Sequence, residues 1–274
     1  MRTSHPLLAT DAVAVWDVLC PGTCRHKSDE ECLTTTHLVF PYRGIFVHHT
    51  GDAETVAEAN QVVFLNESEP YRVSHPIGGG DASLSIAIDA ATLLELAPAD
   101  VLHGKDRIVF NRPRMRIDAR AQVLAALVRQ RLARGVIETL EAEDLIFSLV
   151  SRALGKRTSY AASGSAGRQK LVDRAKLVLS SDLGRRWTLA EIGAAVGVSP
   201  VYLTQVFRQV EGLPLYRYHL QLRLARALDL LDDCFDLTDL ALDLGFSSYS
   251  HFSMAFKQAY GLTPFAFRRF SRLS

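Results

Sequence analysis

The sequence predicts an α+β chain of two domains: a β-rich barrel closed by helices, then an all-α tandem of helix-turn-helix units. Three observations predict it. Short runs rich in β-branched and aromatic residues fill the chain up to about position 88. Apolar residues then switch to helical spacing. Near the C-terminus one pattern of helix, glycine turn, serine cap and helix is written twice.

Taken in order, the runs 13–19, 37–40, 44–48 and 61–65 read as strands, punctuated by Pro41, Gly51 with Asp52, Asn66, and the glycines before Asp81. Ala121, Leu124, Leu127, Val128 and Leu132 then recur at helical spacing, as do, less cleanly, Leu140, Leu145, Phe147, Leu149, Val150 and Leu154. Helices are expected over 118–133 and 138–154, completing a domain over 1–155. The segment 156–168 is small, polar and glycine-rich and reads as a linker. Residues 169–274 read as helical throughout. Thr188 and Glu191 have the spacing of a capping box. Ser199 before Pro200 and Thr263 before Pro264 each place a cap residue ahead of a proline at the first helical position.

The repeat lies in 188–210 and 237–259. Gly197 and Gly245 are 48 positions apart, Phe207 and Phe256 are 49 apart, so the second copy carries one extra residue in its turn or early helix. Two crossing helices need a turn residue without a Cβ, with small neighbours, here Ala194, Ala195 and Ala241. Ile192, Val196, Val198, Leu203 and Phe207 form one candidate core, repeated by Leu240, Leu244, Phe246, Phe252 and Phe256. The helix-turn-helix unit lays its second helix in the DNA major groove. The outward positions are Pro200, Val201, Thr204, Gln205 and Arg208 in the first copy. In the second they are Ser248, Tyr249, Ser250, Ser253, Met254 and Lys257. Tyr249 stands between groove and core. A helix over 215–231, with stripes at Leu220, Leu224, Leu228 and Leu231 and at Leu222, Ala225 and Leu230, is built to hold one unit at each end.

The run 244–264, the first copy, and the Arg223 to Leu228 stretch together resemble the DNA-binding domain of AraC-family transcriptional regulators. The resemblance implies a sequence-specific, effector-responsive activator whose two recognition helices enter successive major-groove segments of promoter DNA. It implies that Thr204, Gln205, Ser250 and Met254 meet bases and that Arg226 and Lys257 lie nearer the backbone. Arg223 is open between a phosphate contact and an internal ion pair with Asp243 or Glu191. The face offers few long polar side chains, which shifts weight to thymine methyls and DNA shape. RNA polymerase is a further implied partner. The layout of the first half resembles the cupin-like sensor domains of many such regulators, with a small-molecule effector and a homodimer among its expected partners. Helices 118–133 and 138–154 are either the dimer interface or ordinary core.

Cys20, Cys24 and Cys32, with His26 and His37 nearby, stand open between a metal or redox site and plain thiols. Their spacing is not a zinc-ribbon spacing, and neither a metal nor another cofactor is expected. His48 and His49 are adjacent, so on a strand they point to opposite faces. No P-loop, G-x-S-x-G or H-E-x-x-H is present, so an enzyme is not expected. Net charge is +1, split as +3 over 169–274 and −2 over 1–168, which fits a DNA-binding half but does not establish one. No signal peptide and no run of roughly 18 apolar residues is apparent, so a cytoplasmic protein without a membrane segment is expected.

Overall fold

The computed structural model describes residues 2–23, 25–104, 108–155 and 165–272. The chain divides into two compact units, Met1–Ser159 with Arg268–Ser274, and Tyr160–Phe267. The residues 156–164 of the expected linker, and Cys24, lie outside the described residues.

The first unit runs β1 (Thr3–Ala9), β2 (Val13–Cys20), β3 (His37–Gly44), β4 (Phe46–Thr50), β5 (Ala53–Ala57), β6 (Gln61–Leu65), β7 (Arg72–Ser74) and β8 (Asp81–Ile88). It continues through α1 (Ala90–Leu96), β9 (Leu102–His103), β10 (Val109–Phe110), β11 (Arg114–Arg116), α2 (Ala119–Arg134) and α3 (Thr139–Leu154). Both expected helices fall within a residue of their predicted bounds. An antiparallel six-stranded sheet has the order β1-β2-β8-β3-β6-β11, and a three-stranded one the order β5-β4-β7. The barrel expected from the sequence is not closed: β1 and β11 remain edges, and the sheets face each other as an open, cupin-like pair.

Residue alternation divides the work of the larger sheet. Val13, Val15, Leu38, Phe40, Leu84 and Ile86 point to one face, where they form a core with Val128 of α2 and Ile146, Leu149 and Val150 of α3. Both helices thus bury one face in this core. The other face carries Trp16, Val18, His37, Val39, Ser83 and Ser85 into a cavity. Pro41, read from sequence as a break, lies inside β3, where the pairing with β8 slips register between Pro41 and Arg43. Pairing with β6 ends at Val39, so the missing proline N–H costs no ladder bond on that side. Gly44 (φ 70°) takes the chain from the larger sheet to the smaller. A Cβ there would stand 2.0 Å from the Gly80 carbonyl oxygen, so only glycine fits.

The second unit holds α4 (Ala166–Ser181), α5 (Leu189–Val196), α6 (Pro200–Glu211), α7 (Leu215–Leu230), α8 (Leu237–Asp243) and α9 (Tyr249–Tyr260), with α10 (Pro264–Phe270) closing the run. Residues 166–168, placed in the linker by composition, are already the first turn of α4. Among the described residues no single helix is long and apolar enough to cross a membrane. Leu171, Val172, Ala175 and Leu179 of α4 pack with Ile192, Leu203, Phe207 and, from α7, Leu215, Tyr218 and Leu222. Within this core Lys176, fully buried, holds Glu211 at 2.6 Å and lies 5.2 Å over the Tyr218 ring.

Candidate nucleic-acid interface and the N-terminal cavity

The two helix-turn-helix units are built by the same local chemistry. In the first, the Thr188 hydroxyl accepts the Glu191 N–H at 3.2 Å and the Glu191 carboxylate accepts the Thr188 N–H at 2.7 Å. The Thr188 hydroxyl, which donates to the Glu191 carboxylate at 2.7 Å, then the Thr188 N–H and Arg185 hold that carboxyl down to about 2. In the second, Asp236 caps α8 by accepting the Thr238 N–H at 2.5 Å. Both first helices end on a left-handed glycine, Gly197 (φ 75°) and Gly245 (φ 79°). The Val198 N–H then donates to the Gly193 carbonyl, and the Phe246 N–H to the Ala241 carbonyl, both at 2.9 Å. The small residue at the crossing is therefore Gly193, whose Cβ would sit 2.7 Å from the Val198 oxygen; Ala194 and Ala195 are exposed.

The second helices begin on equivalent caps. Ser199 accepts the Tyr202 N–H at 3.3 Å, and Ser248 accepts the His251 N–H at 3.2 Å. These caps are 49 apart and the turns 48 apart, so the extra residue lies in the turn, between Phe246 and Ser248. On this register Val201 matches Ser250, Thr204 matches Ser253, Gln205 matches Met254 and Arg208 matches Lys257.

Of the residues expected to face DNA, Pro200, Val201, Gln205, Arg208, Ser250, Met254 and Lys257 are exposed, Val201 and Met254 each at 68%. No described residue pairs with the side chains of Gln205, Arg208 or Lys257. The Thr204 hydroxyl donates back to the Pro200 carbonyl at 2.9 Å, which leaves it only acceptor capacity toward a base. The Ser248 hydroxyl accepts its capping bond and keeps its O–H to donate. Ser253 is half-buried, and so is Tyr249, whose ring meets Phe252 edge-on at 6.4 Å. Sequence reasoning missed Tyr202 and His251. Both are exposed and occupy equivalent positions three residues past the cap, which the 49-residue register would have shown.

Two of the arginines expected at the DNA have partners inside the protein. Among the described residues Arg223 pairs with neither Asp243 nor Glu191. Its nitrogens donate to the carbonyls of Leu183 (2.6 Å), Arg185 (2.8 Å), Gly184 (3.3 Å) and Gly245 (3.3 Å). A guanidinium has five donors in a fixed fork, and here they knit the loop before α5 to the turn of the second unit. The backbones there touch: a Cβ on Gly245 would meet the Gly184 oxygen at 2.2 Å, and one on Gly184 the Asp243 oxygen at 2.5 Å. Arg226, expected near the DNA backbone, is an ion-pair partner of Asp229 one turn on, itself buried. Removing it would take an ion-pair partner from a buried carboxylate.

A pKa effect belongs to the same seam. Burial first, then the nearby Arg223 charge, pushes His219 down to about 4, so its imidazole is neutral near pH 7.

In the first unit a cavity of about 500 Å³ opens between the two sheets. His37 stacks on Trp16 at 5.1 Å and bonds the Ser85 hydroxyl at 2.8 Å. His48 lies 5.2 Å from the Tyr71 ring, and its Nε2, fully buried, has no partner among the described residues. Burial, followed by Arg2 for His37 and by His49 for His48, lowers both imidazoles to about 4. Tyr71 donates to Glu31 at 3.0 Å, and Arg2 closes that carboxylate at 2.7 Å. His49 points away from this cavity, bonding Ser74 at 2.8 Å, as strand alternation requires. Cys20 lines the cavity with His75 and Asp81, whereas Cys32 is exposed and bonds only a neighbouring carbonyl. The thiol set expected from sequence is therefore not assembled among the described residues.

A helix-turn-helix domain family matches residues 192–269. The transcriptional activator RhaR of Klebsiella pneumoniae is 25% identical, over 96% of this chain and 94% of its own. The transcriptional activator CfaD of Escherichia coli is 32% identical over 34% of this chain and 35% of its own. Among solved structures, a transcriptional regulator with an AraC-type DNA-binding domain from Chromobacterium violaceum is 30% identical. It covers 39% of this chain and 97% of its own, with a TM-score of 0.37. The matched segment spans both recognition helices described above. The chain belongs to the AraC family of DNA-binding transcriptional regulators.

Proposed function

We propose that this protein is an effector-responsive activator that inserts α6 and α9 into successive major-groove segments on one face of promoter DNA. The observation that carries the reading is the matched pair of capped helices, each ending its exposed face on a cation with no partner among the described residues, Arg208 and Lys257. In this reading Gln205 and Met254 meet base edges, one by hydrogen bonding and one by apolar contact with thymine methyls. Val201 and Ser250, with Pro200 and Thr204, line the groove beside them, and Ser253 and Tyr249 lie at its margin. The cavity of the first unit takes a small molecule, whose occupancy shifts how the DNA-binding unit is presented. Homodimerisation, contact with RNA polymerase and a cytoplasmic location complete the proposal, on the family's usual behaviour, as does the absence of catalysis.

The test is binding of the full chain to duplex DNA over a range of salt. Arg208→Ala and Lys257→Ala should each weaken binding to every sequence and lower the slope of log affinity against log salt by about 1. If neither substitution moves affinity or slope, the helices do not face the phosphates as proposed.

A further inference from the structure

We infer that Cys20, His75 and Asp81 form a binding site for a divalent transition-metal ion of the zinc class, open to the cavity of the first unit. The ligand atoms of the three side chains lie within 4.8 Å of one another. They come from three separate segments: Cys20 ends β2, Asp81 begins β8, and His75 immediately follows β7. Cys20 and Asp81 are direct partners across the β2–β8 ladder, so their side chains share a face. His75 comes from beyond the second sheet and meets Asp81 through Nε2.

The backbone around this corner is packed for it. Gly22 (φ 67°), Gly44 (φ 70°) and Gly80 (φ 69°) all adopt the left-handed conformation. A Cβ on Gly80 would stand 2.2 Å from the Cys20 oxygen, and one on Gly22 would stand 2.5 Å from the Gly80 Cα. The Gly44 Cβ would meet the Gly80 oxygen and, at 3.0 Å, the Asp81 Cα. Three glycines thus bring the chain segments bearing Cys20 and Asp81 into contact that no other residue permits.

The chemistry of the set is that of a cation site. His75 is 2% exposed and Asp81 9%, and the His75 Nδ1 has no partner among the described residues. A divalent ion added to one thiolate, one carboxylate and one neutral imidazole gives a site of zero net charge, the condition for burial at low cost. Binding releases the Cys20 thiol proton to solvent. The ion takes the place between His75 and Asp81 now held by their hydrogen bond; the proton of that bond leaves Nε2, and the neutral imidazole then carries its one proton on Nδ1. One sulfur, one nitrogen and one oxygen suit zinc, and three protein ligands leave a fourth position, which here faces the cavity. The site stands apart from the DNA-binding proposal and can hold or fail on its own.

The experiment uses the full chain, freed of metal with a chelator and titrated with zinc alone. One zinc should bind per chain. Alkylation of Cys20, followed by mass spectrometry of its peptide, should slow at least about tenfold with zinc present, since the coordinated thiolate is withdrawn from reaction. Labelling of Cys32 and Cys234 should be unchanged. Asp81→Asn should weaken zinc binding at least about tenfold while Asn66→Ala, outside the corner, leaves it intact. The wild-type labelling pattern stands even if a variant fails to fold. Absence of stoichiometric zinc binding, or zinc that shields Cys24 and Cys32 in place of Cys20, would overturn the assignment.

Discussion

The two helix-turn-helix units share a scaffold and differ in both core and reading face. Beneath α6 the core is mainly aliphatic and encloses a charged pair, Lys176 with Glu211. The second unit instead stacks aromatic rings: Phe252 lies 5.2 Å from Phe246 and 5.7 Å from Phe256, which meets Tyr260 at 4.7 Å and Phe267 at 6.2 Å. On the surface, Gln205 of the first helix is replaced at the equivalent place by Met254. The two units share caps, turn and outward cation. In the proposed reading, the first unit discriminates by hydrogen bonding through Gln205, and the second by shape and apolar contact through Met254.

The largest effects lie in the cores. Phe252→Ala should destabilise by about 3–5 kcal/mol through an aromatic-sized cavity. Lys176→Ala should cost about 3–5 kcal/mol for a different reason, because it removes the cation paired with the buried Glu211 carboxylate. Lys176→Met, which fills the volume without a charge, should retain more stability than Lys176→Ala once Glu211→Gln is added. Chemical denaturation of the four proteins checks this. If Lys176→Ala costs nothing, the charged pair is not what supports the first unit.

The reading faces come next. Gln205→Ala should alter preference at one or two base pairs by about 1–3 kcal/mol each. Met254→Ala should cost less and chiefly where a thymine methyl is present. Selection of bound sequences from random DNA with each variant reads this directly. A uniform loss across sequences for Gln205→Ala would mean that the residue touches phosphate.

The smallest effect is on pH. His219 is neutral in the folded protein with a pKa of about 4, below its unfolded value near 6.5. The unfolded chain therefore binds more protons between those values, and stability falls as pH drops from about 6.5 toward 4. His37 and His48 act in the same direction in the first unit. His219→Gln should flatten the acid limb of thermal stability for the DNA-binding unit; an unchanged limb would show that the imidazole is not held neutral.

The helical unit was legible because its signals are local. Capping residues, turn glycines and the 3.6-residue period each lie within a few positions of what they specify. What sequence missed there depended on tertiary packing. Arg223 looks like a DNA-facing arginine, yet its partners are backbone carbonyls 22 to 40 positions away. In the β-rich unit, β8 was not singled out, although it is buried along its whole length. It alternates alanine, leucine and isoleucine toward the helices with Asp81, Ser83 and Ser85 toward the cavity, so its small polar residues hide a central strand. The Cys20, His75 and Asp81 corner was invisible because its members are joined only by strand pairing and close glycine approach. Cysteine spacing pointed instead to neighbours along the chain.

The central claim is that two recognition helices are locked at one separation by the Arg223 clamp and the Gly184–Gly245 contact. The most direct test is binding of the full chain to its selected site with five base pairs inserted between the segments contacted by α6 and α9. Half a turn moves the second groove to the far side of the duplex. Affinity should fall to that of a site carrying one contacted segment alone. Unchanged affinity for the lengthened site would contradict the account.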